Sequence, residues 1–351
     1  VGDRSEIQWT DATWNPLTGC SKVSPGCAHC YAETLTMRYA KGWKVPGLPW
    51  TPKNAPANVI LKPKKLDEPL KWKEPRMIFV NSMSDLFHER VTGLPREFGA
   101  DRARPPDDPI AFGQQEGEPD RPDYIAEVFA VMSIAERHVF QVLTKRPVAA
   151  AYLLGRADFW LRVNAARMKR GFPVLPGGMS EYASGKRTLP NVWMGTSIEN
   201  RHFAWRADAL RNTPAAIRFI SAEPLLGPLV FDDVERVGFA GGPGAAGPKW
   251  ADDSDADPLE LDGIDWLIVG GESGPKHRPM REKWVLALRE ACLAENLSRD
   301  PNGYAKAGPH FFFKQWGGRT PKAGGRLLEG REWNEMPATL AEEVSPVCEP
   351  V

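Results

Sequence analysis

Three thiols cluster near the start of the chain: Cys20, Cys27 and Cys30, in the segment Asn15-Pro-Leu-Thr-Gly-Cys20-Ser-Lys-Val-Ser-Pro-Gly-Cys27-Ala-His-Cys30-Tyr31. On a loop punctuated by Gly and Pro, thiolates spaced this closely can converge on one soft metal centre, because no regular structure holds them apart. Three ligands leave a tetrahedral set one short, and an open coordination position is where a metal centre does chemistry. The pattern therefore points to an enzyme. An iron–sulfur cluster is the first expectation, since thiolates suit such clusters and a [4Fe–4S] centre on three cysteines keeps one iron for an outside ligand. Zinc is the second. His29 could nominally complete a Cys3His set, but it directly precedes Cys30, and adjacent residues rarely both turn toward one small ion. A structural or accidental cluster is the third. On any of these readings His29 packs or hydrogen-bonds beside the centre.

Something must carry that loop. Six short β-branched or aromatic runs are each followed by polar residues and then a helical pattern: Met77–Asn81, His138–Leu143, Asn191–Gly195, Ile217–Ser221, Asp265–Gly270 and His310–Lys314. Near-continuous apolar runs of this kind suit strands buried on both faces of a parallel sheet. Helical stretches separate them, among them Tyr124–Glu136, Arg201–Arg211 and Arg281–Asn296. Such alternation implies βαβ units with right-handed crossovers. With a further strand near Thr13–Thr18, the expected fold is α/β, a partial or complete (β/α) TIM-type barrel. A doubly wound open sheet is the alternative, because spacing alone does not decide closure. The barrel is expected to span residues 1–328, followed by an acidic tail over 329–351. Two aperiodic segments read as inserted loops: the charged, Pro-rich 101–123, and 241–263 with its glycines and the acidic run Asp252-Asp253-Ser254-Asp255.

Chemistry in barrels sits at the C-terminal ends of the strands, where the loops converge on one mouth. The strand ends here are unusually polar: Asn81-Ser82-Met83-Ser84-Asp85-Leu86-Phe87-His88, Thr144-Lys145-Arg146-Pro147, Thr196-Ser197-Ile198-Glu199-Asn200, Ser221-Ala222-Glu223-Pro224, Gly270-Gly271-Glu272-Ser273-Gly274 and Lys314-Gln315-Trp316. Some of these residues serve simply as helix caps, Ser84-Asp85 and Thr196-Ser197 having suitable chemistry. Six ends behaving alike is harder to explain that way. Lys145 and Arg146 suit a carboxylate or phosphate, Arg in a two-toothed manner. Gly270-Gly271 would let backbone approach a ligand closely, although a glycine pair is also an ordinary turn.

Composition bounds the rest. The chain has 351 residues, 42% of them hydrophobic, and 45 basic residues cancel 45 acidic ones, so no global field draws it to nucleic acid or to an anionic membrane. No apolar run is long enough to span a bilayer. The start, Val1-Gly-Asp-Arg-Ser-Glu6, lacks the features of a secretory signal, and five cysteines with three clustered suit a reducing compartment. The expected location is cytoplasmic. Cys292 lies in a helical setting and reads as a small core residue. Local basic–aromatic runs, Lys62-Pro-Lys64-Lys65 with Lys71-Trp72-Lys73 and Arg201-His-Phe-Ala-Trp205-Arg206, can serve phosphates and bases. Asp67, Glu68 and Glu74 dilute the first, which favours a solvated surface.

Cys27-Ala-His-Cys30 resembles the closing half of the radical S-adenosylmethionine fingerprint, with His29 in the aromatic-type slot; six residues between Cys20 and Cys27 exceed the usual spacing. The wider pattern, Trp14 to Cys20 and Cys27 to Glu33 with Ser82-Met-Ser-Asp85, Thr144-Lys-Arg-Pro147, Ser221-Ala-Glu-Pro224 and Gly270-Gly-Glu-Ser-Gly274, resembles a phage-associated three-cysteine-motif family. That family is distantly similar to spore photoproduct lyases. The resemblance covers most of residues 5–320 and implies a [4Fe–4S] cluster on Cys20, Cys27 and Cys30. It implies reductive cleavage of S-adenosyl-L-methionine, an electron from a flavodoxin- or ferredoxin-type reductant, and DNA or RNA as a candidate substrate for repair or modification. On that reading Ser82, Ser84 and Asp85 hold the methionine amino group. Thr196, Glu199, Ser221 and Glu223 face ribose or substrate, while His29, Thr144, Gly270, Gly271 and Glu272 complete the cofactor site. Lys145, Arg146, Glu223 and Tyr31 are the candidate catalytic side chains. The competing class is a non-catalytic accessory protein with a structural zinc or cluster.

Overall fold

The computed structural model describes residues 4–96, 121–177, 184, 186–230, 257–297, 308–320 and 322–338. Its strands are β1 (Ala12–Trp14), β2 (Leu17–Thr18), β3 (Ile60–Leu61), β4 (Met77–Val80), β5 (Val139–Thr144), β6 (Val192–Ser197), β7 (Ile217–Ala222), β8 (Trp266–Gly270) and β9 (His310–Gln315). Each apolar run of the sequence becomes a strand within a residue or two. The expected strand at Thr13–Thr18 instead splits into β1 and β2 around Asn15-Pro16, because Pro16 has no N–H to give a ladder.

Seven of these strands form one parallel sheet in the order β1-β4-β5-β6-β7-β8-β9, and β2 pairs antiparallel with β3 in a small separate ribbon. The order never reverses. A doubly wound sheet needs a reversal at its switch point, so the alternative topology is excluded. The sheet is strongly curled into a half-barrel, a partial TIM-type barrel.

Parity along the strands builds its two faces. On β9, Phe311 and Phe313 join the main core, as do Met194 on β6, Ile220 on β7 and Val269 on β8. Their alternate neighbours turn to the concave side, where Trp9, Phe79, Trp193, Phe219, Trp266 and Phe312 form a separate buried cluster. Trp266 meets Trp9, Trp193 and Phe312 edge to face, at centroid separations of 6.1, 5.9 and 5.9 Å, a favoured geometry for aromatic quadrupoles. Gly195 makes this floor possible: a Cβ there would stand 2.4 Å from the Phe219 ring. Aromatics thus plug the lower lumen and leave the upper lumen open.

Helices cover the convex side. They include Arg121–Ile134, Pro147–Leu154 with proline in its first turn, Ala157–Lys169, and Glu282–Leu297, in which Cys292 is buried as a core residue. The segment expected as helix over Arg201–Arg211 is a 3-10 turn at Arg201–Phe203 followed by the helix Arg206–Arg211. Most of the two inserted loops, and the tail beyond residue 338, lie outside the described residues. Packing nonetheless begins earlier, and ends later, than their expected boundaries. Leu259 and Leu261 are buried, and Phe313 N–H donates to the Trp333 carbonyl, because Trp333 packs edge to face on Phe311. No helix among the described residues is long and apolar enough to cross a membrane.

Candidate functional site

Above the aromatic floor lies a cavity of about 630 Å³, within the roughly 300–1,000 Å³ usual for small-molecule sites. Cys20, Cys27 and Cys30 all line it. Their loop is threaded over the strand ends by backbone and side-chain clamps that account for much of the motif polarity. Gly19 starts it with φ 87°, and a Cβ there would stand 1.9 Å from the Asn58 carbonyl oxygen, so only glycine passes. Gly19 N–H donates to Met83 O, Ser84 Oγ donates to Leu17 O, and the buried Asn15 Oδ1 accepts from Met83 N–H. The Ser82–Asp85 motif is therefore a dock for the cysteine segment.

Arg146 is fully buried and spent on internal partners. Its Nε donates to Glu89 at 3.1 Å, Nη1 to Asp85 at 3.0 Å and to Cys20 Sγ at 3.6 Å, and Nη2 to the Ser21 carbonyl and hydroxyl oxygens. Burial works against its charge, but Cys20, Asp85 and Glu89 outweigh that and raise its pKa. It positions the Cys20 strap, and no donor is left for the carboxylate or phosphate expected of it. Asp85 is likewise engaged, accepting from Thr144 Oγ1 at 2.7 Å and Lys145 N–H at 3.1 Å as well as from Arg146. His88 Nδ1 accepts from Arg90 N–H, which puts the ring proton on Nε2, facing Ser21 Oγ at 2.9 Å.

A second clamp holds the middle of the loop. Glu199 is wholly buried and accepts from Lys145 Nζ and Ser24 Oγ, each at 2.6 Å, and from Arg206 Nη1 at 3.2 Å. Gly26 lies so close above it that a Cβ would stand 2.4 Å from Glu199 Oε1. Burial alone would raise the Glu199 pKa, but Lys145 and Arg206 hold it below its ordinary value, as an anion. A third clamp is Glu272, which pairs with His29 Nδ1 at 3.0 Å and with the Arg278 guanidinium, while Arg278 Nη2 donates to Pro25 O. Burial is again outweighed, here by Arg278 and His29, so the Glu272 pKa is lowered. His29 is thus turned to a carboxylate beside the thiols.

The cavity lining divides the remaining expectations. Ser82, Ser84, Asp85, Thr144, Lys145, Ser221, Glu223, Gly271, Glu272 and Tyr31 line the cavity. Thr196 and Glu199 do not. Thr196 follows the helix-facing parity and donates to Thr144 O, while its neighbour Ser197 faces the lumen. Gly270 stays off the lining too, and its missing side chain admits Glu223, whose Oε1 would stand 2.4 Å from a Cβ there. Glu223 pairs with Lys314 Nζ at 2.9 Å and accepts from Ser221 Oγ at 3.2 Å. Tyr31 donates to Ser82 O at 2.5 Å and is half exposed at the rim.

Asn81 and Lys314 stood among the polar strand ends without an assigned role, and Trp50 was not singled out in the sequence. Asn81 caps β4 in the left-handed region, φ 63°, is buried against the cavity, and leaves both amide atoms without a partner. Trp50 Nε1 and Gln8 Oε1, also at the cavity, are unpartnered as well. Buried polar groups normally find partners, so this concentration marks a place built for a polar ligand. The signal was available: counting alternate residues from Phe79 or Phe312 reaches Asn81 and Lys314.

The thiols can be tested against the centre they suggest. Cys20 and Cys30 pack with Ala32, Trp50 and Met83, an apolar shield of the kind that limits solvent at a metal site. Burial pushes the Cys20 thiol up to about 12 despite Arg146, and raises that of Cys30, so ionising them calls for a bound cation. Among the described residues no group of three His, Cys, Asp or Glu side chains is arranged to hold a single metal ion. A polynuclear cluster binds its ligands at separate corners, and three thiols that line one cavity, two of them in an apolar shield, fit such a group.

A singly wound parallel half-barrel with its polar cavity at the C-terminal strand ends is an enzyme-type barrel. The chain belongs to the family described as a protein of unknown function, DUF5131, whose profile matches residues 4–98 and 118–337. Neither the curated proteins nor the solved structures include a match to it.

Proposed function

We propose that this protein is an iron–sulfur enzyme of the radical S-adenosylmethionine kind, acting on a nucleic-acid substrate by repair or modification. The observation that carries the reading is the meeting of three soft thiol ligands and several unpartnered polar groups in one cavity. Cys20, Cys27 and Cys30 would hold a [4Fe–4S] cluster. Such a group would supply one-electron chemistry, passing an electron from a flavodoxin- or ferredoxin-type reductant for reductive cleavage of S-adenosyl-L-methionine to methionine and a 5′-deoxyadenosyl radical.

The chain's own residues do the rest. Arg146, Glu199 and Glu272 fix the loop by their clamps. Asn81 and Ser82 offer donors and acceptors to the polar end of the bound cofactor. Glu223, held by Lys314 and Ser221, lines the same cavity as the candidate group for handling a substrate proton. The aromatic floor closes the lumen from below and excludes water. Anaerobic reconstitution tests the reading: iron and sulfide should bind with a cubane Mössbauer signature, and dithionite with S-adenosylmethionine should release 5′-deoxyadenosine. Colourless protein carrying stoichiometric zinc would favour the accessory class instead.

A further inference from the structure

The helix that leaves Cys30 carries a surface the barrel does not use. Over Tyr31–Trp43 only Ala32, Glu33 and Thr36 are buried, so beyond Met37 the helix projects into solvent. Apolar residues are exposed there without a packing reason: Met37, Tyr39, Trp43 and, past the helix end, Leu48. Tyr39 and Trp43, one helical turn apart, are 47% and 40% exposed, with centroids 5.5 Å apart and planes inclined by only 33°. Cations are interleaved with them. Arg38, Lys41, Lys44 and Lys53 are exposed and have no ion-pair partner among the described residues. From Thr34 to Leu66 the chain has seven Lys and Arg and no Asp or Glu, in a protein whose total charge is zero.

We propose that this face, Arg38 to Lys53, is a docking surface for a single-stranded nucleic acid. Bases stack on exposed rings whatever their identity, and flanking cations track the phosphates. Between Arg38 and Lys44 three cations flank two exposed rings, Arg38-Tyr39 and Lys41-Gly-Trp43-Lys44, an interleaving that suits a polymer alternating phosphate and base. A protein partner would more often meet an apolar centre with a polar rim. The face also reaches the cavity, because Tyr31 at the start of the same helix lines its rim. The surface rests on the substrate half of the function proposed above and gives it a location distinct from the diluted Lys71–Lys73 patch.

Fluorescence anisotropy on the full chain, with a labelled thymidine oligomer of about twelve nucleotides, tests it without cluster or cofactor. Binding should weaken steeply with salt. Tyr39→Ala with Trp43→Ala should lower affinity at least about fivefold. Arg38→Glu, Lys41→Glu and Lys44→Glu together should lower it more than about tenfold and flatten the slope of log K against log salt by about 2. All five side chains are exposed, so far-UV spectra should not change. Lys71→Glu with Lys73→Glu should leave affinity unchanged. The proposal fails if no salt-dependent binding occurs, or if the control pair weakens binding as much as the charge reversal. It fails equally if polyglutamic acid does not bind less tightly than the oligomer and removal of the rings has no effect, the behaviour of an acidic-protein site. Release of 5′-deoxyadenosine in the absence of any polymer tests the cluster separately, so the two ideas can fail independently.

Discussion

The two halves of the lumen are made from the same strands and do opposite work. At its base, lumen-facing positions carry Trp193, Phe219, Trp266 and Phe312, all buried, with Trp193 and Phe312 edge on to Trp266. Two to four residues further along, the same parity delivers Asn81, Ser197, Ser221 and Lys314 to a cavity. The lower half contributes stability by excluding water. The upper half spends stability on fixed charges, unpartnered amides and a clamped thiol loop. A lesion in one should therefore read out where a lesion in the other is silent.

The sharpest break comes at the thiols. Cys30→Ala should abolish iron binding and 5′-deoxyadenosine release while the thermal midpoint of the cluster-free protein moves little, as metal analysis and calorimetry on one sample would check. Retained iron at wild-type stoichiometry would remove Cys30 from the ligand set. Trp266→Ala is the mirror case: it should cost about 3–5 kcal/mol in denaturant titrations, because a buried aromatic at the centre of the floor leaves a cavity.

Glu199→Gln blurs the comparison in an informative way, since it acts on stability from the upper half. Removing a buried anion leaves Lys145 and Arg206 uncompensated and should cost about 3–5 kcal/mol at neutral pH. The sign of its pH dependence follows from a lowered folded-state pKa. Glu199's contribution is intact above its ordinary 4.5 and is lost as pH falls through the lower value in the fold. The acid limb of the wild-type stability curve should accordingly be steeper than that of the variant.

Gly195→Ala pushes a methyl into the Phe219 ring and should destabilise by about 1–3 kcal/mol without touching the cavity. The smallest effect expected is from Asn81→Gly. It preserves a left-handed backbone while deleting an unpartnered amide, so stability should hold and S-adenosylmethionine affinity, by calorimetry on the loaded protein, should fall about five- to tenfold (~1–1.4 kcal/mol). Unchanged affinity would mean that the amide serves no ligand.

Much of this division was legible in the amino-acid order. Within the run Asn191–Gly195, Val192-Trp-Met194 is apolar on both faces, and runs of this kind sufficed to place the strands and the mouth. Thr196 was misplaced because a strand end was read as a string rather than as two alternating rows, and a one-residue slip in parity moves a side chain to the other face; Glu199 lies past the end of β6, where its clamp with Lys145, Ser24 and Arg206 and not strand parity sets its direction. The clamps were not legible at all. That Arg146 reaches Glu89, or that Glu199 sits under Gly26, depends on how a loop from the N-terminal segment folds across the later strands. Such long-range pairings leave no periodic trace.

One consequence follows from the sheet's two ends. β1 and β9 each have a single neighbour among the seven strands, so the wall is a trough and not a ring. A closed tube takes its guest end-on, through a hole no wider than its bore. A trough can be approached along its flank, and a reacting unit embedded in the middle of a long chain can enter sideways without either terminus being threaded.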